Sequence, residues 1–224
     1  MQSTNKIGIH PNPLDRNKSI LWARYLFDST DWLLLAPKVT DLSLTGNGES
    51  KLVSFAVLTP DGKTVFECLL KSEEMLTSKL LAEHGLDYAV VFNAMTFPEI
   101  AERLRQLTAG KQILTYNLSG LQDLLDELCA RYGVTPVILS GHSMKSELAR
   151  FVGESDGRGH YRAQPLKASG SAASECRELL SALYEIASSS QTINTAPTGN
   201  QGWTAQFYKP KISTKEKIKD FLGM

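Results

Sequence analysis

The sequence predicts an α/β domain with a mixed β-sheet and helices on both faces. The continuous apolar run Trp32–Leu35 is typical of a strand buried on both sides. Two β-rich runs, Lys51–Leu58 and Thr64–Leu70, flank the turn residues of 59–63 and predict a hairpin. Beyond the hairpin the apolar period changes from two towards 3.6, and helices alternate with strands. This order, a three-stranded start followed by alternating elements, favours one mixed sheet.

The other elements are predicted from apolar periodicity and from residues that begin or end helices. A short amphipathic helix is expected at about 18–28, ahead of the first strand. The remaining predicted helices span about 73–83, 97–107, 119–132, 143–152 and 172–188, and the remaining predicted strands are Gln112–Tyr116 and Val137–Leu139.

Length and composition favour one domain with modest extensions. The 224 residues, 42% of them hydrophobic, allow one sizeable core. We divide the chain into an irregular N-terminal arm (1–18), a folded domain (19–188), and a Ser/Thr/Gly/Pro-rich linker with a basic, aromatic tail (189–224). Lys209 and Lys211 lie among aromatic residues, a combination that binds single-stranded nucleic acid. The alternative is a surface tail whose aromatic residues dock on the domain.

Charge and cysteine content exclude several classes of protein. Basic and acidic residues number 24 each, so no net charge drives binding to a phosphate backbone. Cys68, Cys129 and Cys176 are widely spaced and predict neither a disulfide framework nor a zinc site. The sequence lacks an apolar stretch of about 20 residues and a signal-peptide pattern. These features predict a cytoplasmic protein with no membrane association.

Five segments resemble, in order, those of the DEDD-type 3′–5′ exonucleases related to proofreading enzymes. The resemblance covers about residues 20–188 and implies a ribonuclease H-like fold. The segments are ARYLFDSTDWLLL (23–35), VLTPDGKTVFECLLKS (57–72), AEHGLDYAVVFNAMTFPEIAERL (82–104), ILTYNLSGLQDLLDELCARYG (113–133) and HYRAQPLKASGSAASECRELLSALYEIA (160–187).

The resemblance also implies where metal ligands would stand. The family hydrolyses nucleic acid with two divalent ions, which need clustered carboxylates. The family's Asp-x-Glu of the first motif falls on Ala36 and Lys38, and neither side chain binds Mg²⁺. In the second motif Asn117 matches, but the Asp four residues later is Leu121. The carboxylates further along this helix, Asp123, Asp126 and Glu127, are interpreted as solvated charges of a helix face.

In the third motif the family's His and Asp fall on Gly170 and Glu175. One carboxylate therefore remains, and glycine cannot act as a general base. A second register of the first motif places Asp41 and Ser43 at the Asp and Glu, but it requires an insertion before the strand. Either register leaves at most two of the four ligands.

Three functional hypotheses follow. The leading one is an exonuclease-like protein that has lost catalysis, needs no cofactor, and binds nucleic acid or a protein partner. The alternative is an active or residual 3′–5′ exonuclease that uses Mg²⁺ or Mn²⁺ on Asp41, Glu175 and one carboxylate between 123 and 127. The third is a structural protein that forms a homodimer through the apolar faces of its terminal helices.

Four further residues are interpreted individually. Lys38 either pairs with Glu175, replacing the metal charge, or points to solvent. Tyr116 and Asn117 are candidate nucleotide contacts, although capping of the following helix is the favoured role of Asn117. Ser143 is expected to cap a helix rather than act as a nucleophile, because its surroundings lack the Gly-x-Ser-x-Gly pattern.

Overall fold

The structure is a computed structural model, and it describes residues 10–41, 51–71, 93–166 and 170–191. The predicted helix at 73–83 and the basic tail lie outside these residues. No helix within the described ranges combines the length and apolar character needed to cross a bilayer. The chain divides into two compact units, each made of non-contiguous segments. The predicted boundaries at residues 18 and 188 stay a prediction.

The larger unit comprises Ser29–Met144 and Leu166–Ser181 and contains the sheet. Its strands run in the spatial order β3-β2-β1-β4-β5. β1 pairs with β2 and β2 with β3 in antiparallel fashion, while β4 runs parallel to both β1 and β5. The predicted fold class, an α/β domain built on one mixed sheet, is confirmed. The strands are β1 (Trp32–Asp41), β2 (Lys51–Leu58), β3 (Thr64–Leu69), β4 (Gln112–Thr115) and β5 (Gly141–Ser143).

The helices largely follow the predicted periodicity. Within the described residues they are α1 (Pro13–Asp28), α2 (Phe97–Thr108), α3 (Leu118–Tyr132), α4 (Met144–Val152) and α5 (Ala172–Ser188).

The hairpin of β2 and β3 was predicted within one residue at each end. The backbone N–H of Thr59 donates to the carbonyl of Lys63 (2.9 Å), which closes the turn. Gly62 has a φ of +81°, a conformation that favours glycine, and its N–H donates to the carbonyl of Thr59 (2.8 Å). The local turn sequence therefore fixes the register of the two strands.

One face of the sheet is covered by α2 and α3. The Thr96 N–H donates to the Glu99 carboxylate (2.8 Å), which helps to begin α2, and α3 ends at Gly133 in the left-handed conformation. Apolar residues of β1, β2 and β4 pack here with residues of the two helices. The buried members include Leu33, Leu35, Phe55, Val57, Phe97, Ile100, Leu104, Ile113, Leu121 and Leu125.

The first part of α5 lies against the other face. The Cys176 thiol donates to the carbonyl of Ala56 (3.4 Å), and Cys176 and Leu179 are fully buried. Helices therefore cover both faces of the sheet, as predicted.

The predicted strand Val137–Leu139 is wrong, because the fifth strand forms at 141–143. The side chain of Gln122 on α3 bonds to the Val137 carbonyl (2.8 Å) and to the Leu139 N–H (3.0 Å). These contacts occupy the backbone groups that a strand would use. Pairing starts later because a Cβ on Gly141 would lie 1.9 Å from the Ile113 carbonyl oxygen, so only glycine permits this close approach.

The smaller unit contains α1, most of α4 and the end of α5. The expectation that residues up to 18 are irregular is wrong for the segment from Pro13, where α1 begins. The Asn12 side chain accepts the Leu14 N–H (3.1 Å) and donates to Asp15 (2.9 Å), and proline suits the first helical position. Arg24 anchors α1 by donating to the Ala187 carbonyl (2.9 Å).

Candidate functional site

The middle of β1 and the start of α5 meet at the positions of the first and third motifs. Ala36 is fully buried and lies opposite Ala56 in the register of β1 and β2. The Cys176 thiol on α5 contacts this pair at the Ala56 carbonyl. Lys38 follows Ala36 by two residues, so it lies on the same face of the sheet. Glu175, which precedes Cys176, is thereby brought towards Lys38.

Glu175 is half-buried, and its electrostatic surroundings are mixed. Burial raises the pKa of the Glu175 carboxyl, while the positive charge of Lys38 lowers it. The two groups are absent from the ion pairs within 4.0 Å in the described part of the chain. The Lys38 ammonium therefore acts on Glu175 through space and not through direct contact.

Tyr116 joins this pair from β4. Leu114 lies opposite Leu34 in the parallel pairing, so Tyr116, two residues later, comes beside the Ala36 position on β1. Burial raises the pKa of the Tyr116 hydroxyl, and the negative charge of Glu175 raises it further. Lys38, Tyr116 and Glu175 are named the edge cluster below.

Asn117 occupies the position before α3, but its side chain does not cap the helix backbone. The side-chain oxygen of Asn117 accepts a hydrogen bond from the Ser119 hydroxyl (3.1 Å). The N–H of Leu118 donates instead to the Ser143 hydroxyl (2.9 Å). Ser143 was expected to cap the helix that follows it, whereas this bond goes to α3. Sequence spacing gave no signal for a bond between residues so far apart.

Gly170 and the residues after it explain how α5 begins. The Ser171 hydroxyl accepts the Ser174 N–H (3.2 Å), and the Ser171 carbonyl accepts the Glu175 N–H (3.2 Å). Gly170 has a φ of +115°, which side chains with a Cβ rarely adopt. A histidine at this position would strain the backbone.

The second-motif position lies in the hydrophobic core. Leu121 is 2% exposed and packs in the cluster beneath α2 and α3. Three carboxylates further along α3 are exposed: Asp126 accepts from Gln122 (2.8 Å), Glu127 pairs with Arg131 (2.7 Å), and Asp123 faces solvent.

The alternative register begins on Asp41, the last residue of β1, which lies opposite Lys51. Its backbone is three residues beyond Lys38, roughly 10 Å along the strand. Ser43, Lys209 and Lys211 lie outside the described residues, so their positions relative to the edge cluster stay predictions.

The edge cluster does not fit a two-metal centre. Hard divalent cations need several ionised oxygen ligands around each ion. Glu175 supplies one carboxylate, its pKa is raised by burial, and an ammonium group already acts on it. The described residues hold no group of three or more His, Cys, Asp or Glu side chains arranged to bind a metal.

No protein-family model matches this chain, and no curated protein matches it in sequence. Among the solved structures that resemble it distantly are two 3′-exonucleases. A full-length 3′-exonuclease shows 13% identity, covers 69% of this chain and 81% of that chain, and has a TM-score of 0.36. A 3′-exonuclease described as recognising the 3′ end of a histone mRNA stem-loop shows 15% identity over 47% of this chain and 55% of that chain, with a TM-score of 0.33. Likeness this distant does not carry function from one chain to another.

Proposed function

We propose that this protein is a non-hydrolytic relative of the DEDD exonucleases that binds single-stranded nucleic acid at the edge cluster. The observation that carries the proposal is the position of Lys38, on the face of β1 that the start of α5 covers and near enough to Glu175 for its charge to lower the pKa of that carboxyl. An ammonium group here supplies positive charge where the resemblance implies metal ions. The negative charge of Glu175 is thereby partly balanced without a metal ion.

Two further positions support the loss of hydrolysis. The resemblance implies a general base at Gly170, where the positive φ disfavours any other residue. It implies a metal ligand at Leu121, where the side chain is buried among apolar residues. A carboxylate at Leu121 would have to enter the core without a counter-charge, which is strongly unfavourable. Restoring the ligands would therefore require changes in the backbone and in the core.

The binding role rests on chemistry at the same edge. Lys38 offers three donors to a phosphate oxygen, and the half-buried Tyr116 ring offers a surface on which a base stacks. Asn117 presents an amide beside them, and the tail adds Lys209 and Lys211 in an aromatic context. Because the chain has no net charge, we expect binding to be weak at physiological salt and measurable at low salt.

Fluorescence anisotropy with a labelled single-stranded oligonucleotide at low salt tests this proposal. We expect Lys38→Met to weaken binding by about threefold to tenfold and to reduce the salt slope by about one. Tyr116→Ala should weaken binding by a similar factor through loss of stacking. Lys63→Met, which removes an exposed lysine of the β2–β3 turn, is the matched control and should change little. No binding at low salt, or equal losses in Lys38→Met and Lys63→Met, would contradict the proposal.

A further inference from the structure

Helix α1 carries a narrow stripe of exposed side chains along one face. Leu14, Leu21 and Tyr25 are 60%, 54% and 71% exposed, and the Lys18 side chain is 68% exposed. Asp28 completes the stripe at the end of the helix and is also exposed. At about 100° per residue, these five positions fall within roughly 80° of one another around the helix axis.

The opposite face of α1 is buried, so the stripe is not needed for the folding of its own unit. Ser19, Ile20, Ala23 and Leu26 are all at most 3% exposed. The exposed residues are separated by four, three, four and three positions, which is the spacing of the contact seam of a coiled coil. A seam of this spacing exposed to water predicts a helical partner.

The charges on the stripe make it complementary to itself in one orientation. If two α1 helices run antiparallel around a two-fold axis near Ala23, Lys18 of each copy meets Asp28 of the other. Leu21 of each copy then meets Tyr25 of the other. In the antiparallel pair, each basic residue therefore faces an acidic residue, and each apolar residue faces an apolar residue. A parallel pair would instead place Lys18 against Lys18 and Asp28 against Asp28.

We propose that α1 is a homodimer interface, in which Lys18, Leu21, Tyr25 and Asp28 of the stripe pair with the same residues of a second copy in antiparallel orientation. Lys18 also lies 3.1 Å from Asp15 of its own helix, but an ammonium has three donors and can bond to both carboxylates. The seam spans only about two heptads, so its buried area is below the roughly 1,600 Å² of a standard interface. We therefore expect reversible association that depends on concentration.

Sedimentation equilibrium of the full chain, over about a thousandfold range of concentration, tests the proposal. The wild type should change from monomer to dimer within this range. Leu21→Lys, at an exposed position that does not affect folding, should weaken association by at least about tenfold. Ile138→Lys, which changes an apolar residue 74% exposed outside α1, is the matched control and should leave association unchanged.

A charge exchange tests the orientation. Lys18→Glu alone should weaken the dimer by about threefold to tenfold, because it sets two carboxylates against each other. Adding Asp28→Lys to the same chain should restore association to near the wild-type level. A monomer at every concentration would overturn the proposal, as would a dimer that is insensitive to Leu21→Lys. Failure of the double variant to recover would overturn the antiparallel pairing.

Discussion

The two faces of the sheet in the larger unit differ in what they bury. Beneath α2 and α3 the face is predominantly apolar, with Phe55 and Phe97 fully buried in one cluster. Beneath the start of α5, the partly buried Lys38 of β1 lies near the half-buried Glu175 of α5. Adjacent residues of β1 serve both faces, since side chains alternate along a strand. The apolar face stabilises the fold, and the polar face keeps charged groups partly out of water at some cost in stability.

The largest expected effect comes from the apolar face. Phe55→Ala removes a fully buried ring from the cluster, so we expect the free energy of unfolding to fall by about 3–5 kcal/mol. Phe66→Ala, at a half-buried position on β3, should cost clearly less. Urea unfolding of both variants measures the difference. Equal losses would show that the depth of burial in this cluster does not set the cost of removing a ring.

A smaller effect is expected at the start of α5. Gly170→His restores the residue that the resemblance implies, but the backbone at this position has a φ of +115°. We expect a loss of about 1–3 kcal/mol in the free energy of unfolding. Gly170→Ala should cost a similar amount, because the penalty arises from the Cβ and not from the imidazole. A histidine variant as stable as the wild type would contradict this account of the missing base.

The polar face should make the stability of the folded protein depend on pH. The raised pKa of Glu175 means that the folded protein holds this proton more tightly than the unfolded chain does. Its favourable contribution is therefore complete below the unfolded pKa of about 4.3 and is lost as pH rises through the folded pKa. Glu175→Gln should match the wild type at a pH below the unfolded pKa and be the more stable of the two at pH 7. Thermal unfolding across this range checks the sign, and a wild type more stable than Glu175→Gln at pH 7 would reverse it.

The smallest expected effect concerns the reactivity of two buried cysteine thiols. Burial raises the pKa values of Cys68 and Cys176 to about 12, so almost no thiolate forms at neutral pH. Both thiols should react with iodoacetamide far more slowly in the folded protein than in urea, as mass spectrometry would show. Rapid modification of native Cys176 would mean that α5 does not stay closed over Ala56.

Local signals explain which parts of the fold were predictable. The turn residues 59–63 predicted the hairpin, and Phe97-Pro98-Glu99 predicted the start of α2. β5 was misplaced because its position depends on the Gln122 side chain and on the close approach at Gly141. The start of α1 was missed even though Asn12, Pro13 and Asp15 form a recognisable helix beginning.

The candidate site was less predictable than the fold. The resemblance supplied Lys38 and Glu175 as candidates, but their electrostatic interaction depends on where α5 crosses β1. Tyr116 lies in the cluster because β4 pairs in parallel with β1, and no short sequence motif predicts this pairing. The backbone conformation of Gly170 and the bond from Leu118 to Ser143 are tertiary properties with no sequence signal.

Digestion of a 3′-labelled single-stranded oligonucleotide, with Mg²⁺ and separately with Mn²⁺, tests the central claim most directly. Glu175→Ala and Asp41→Ala from matched preparations serve as controls for contaminating nucleases. We expect no shortening of the oligonucleotide by the wild-type protein in either metal. Metal-dependent shortening that disappears in either variant would contradict the account and establish an exonuclease with rearranged carboxylates.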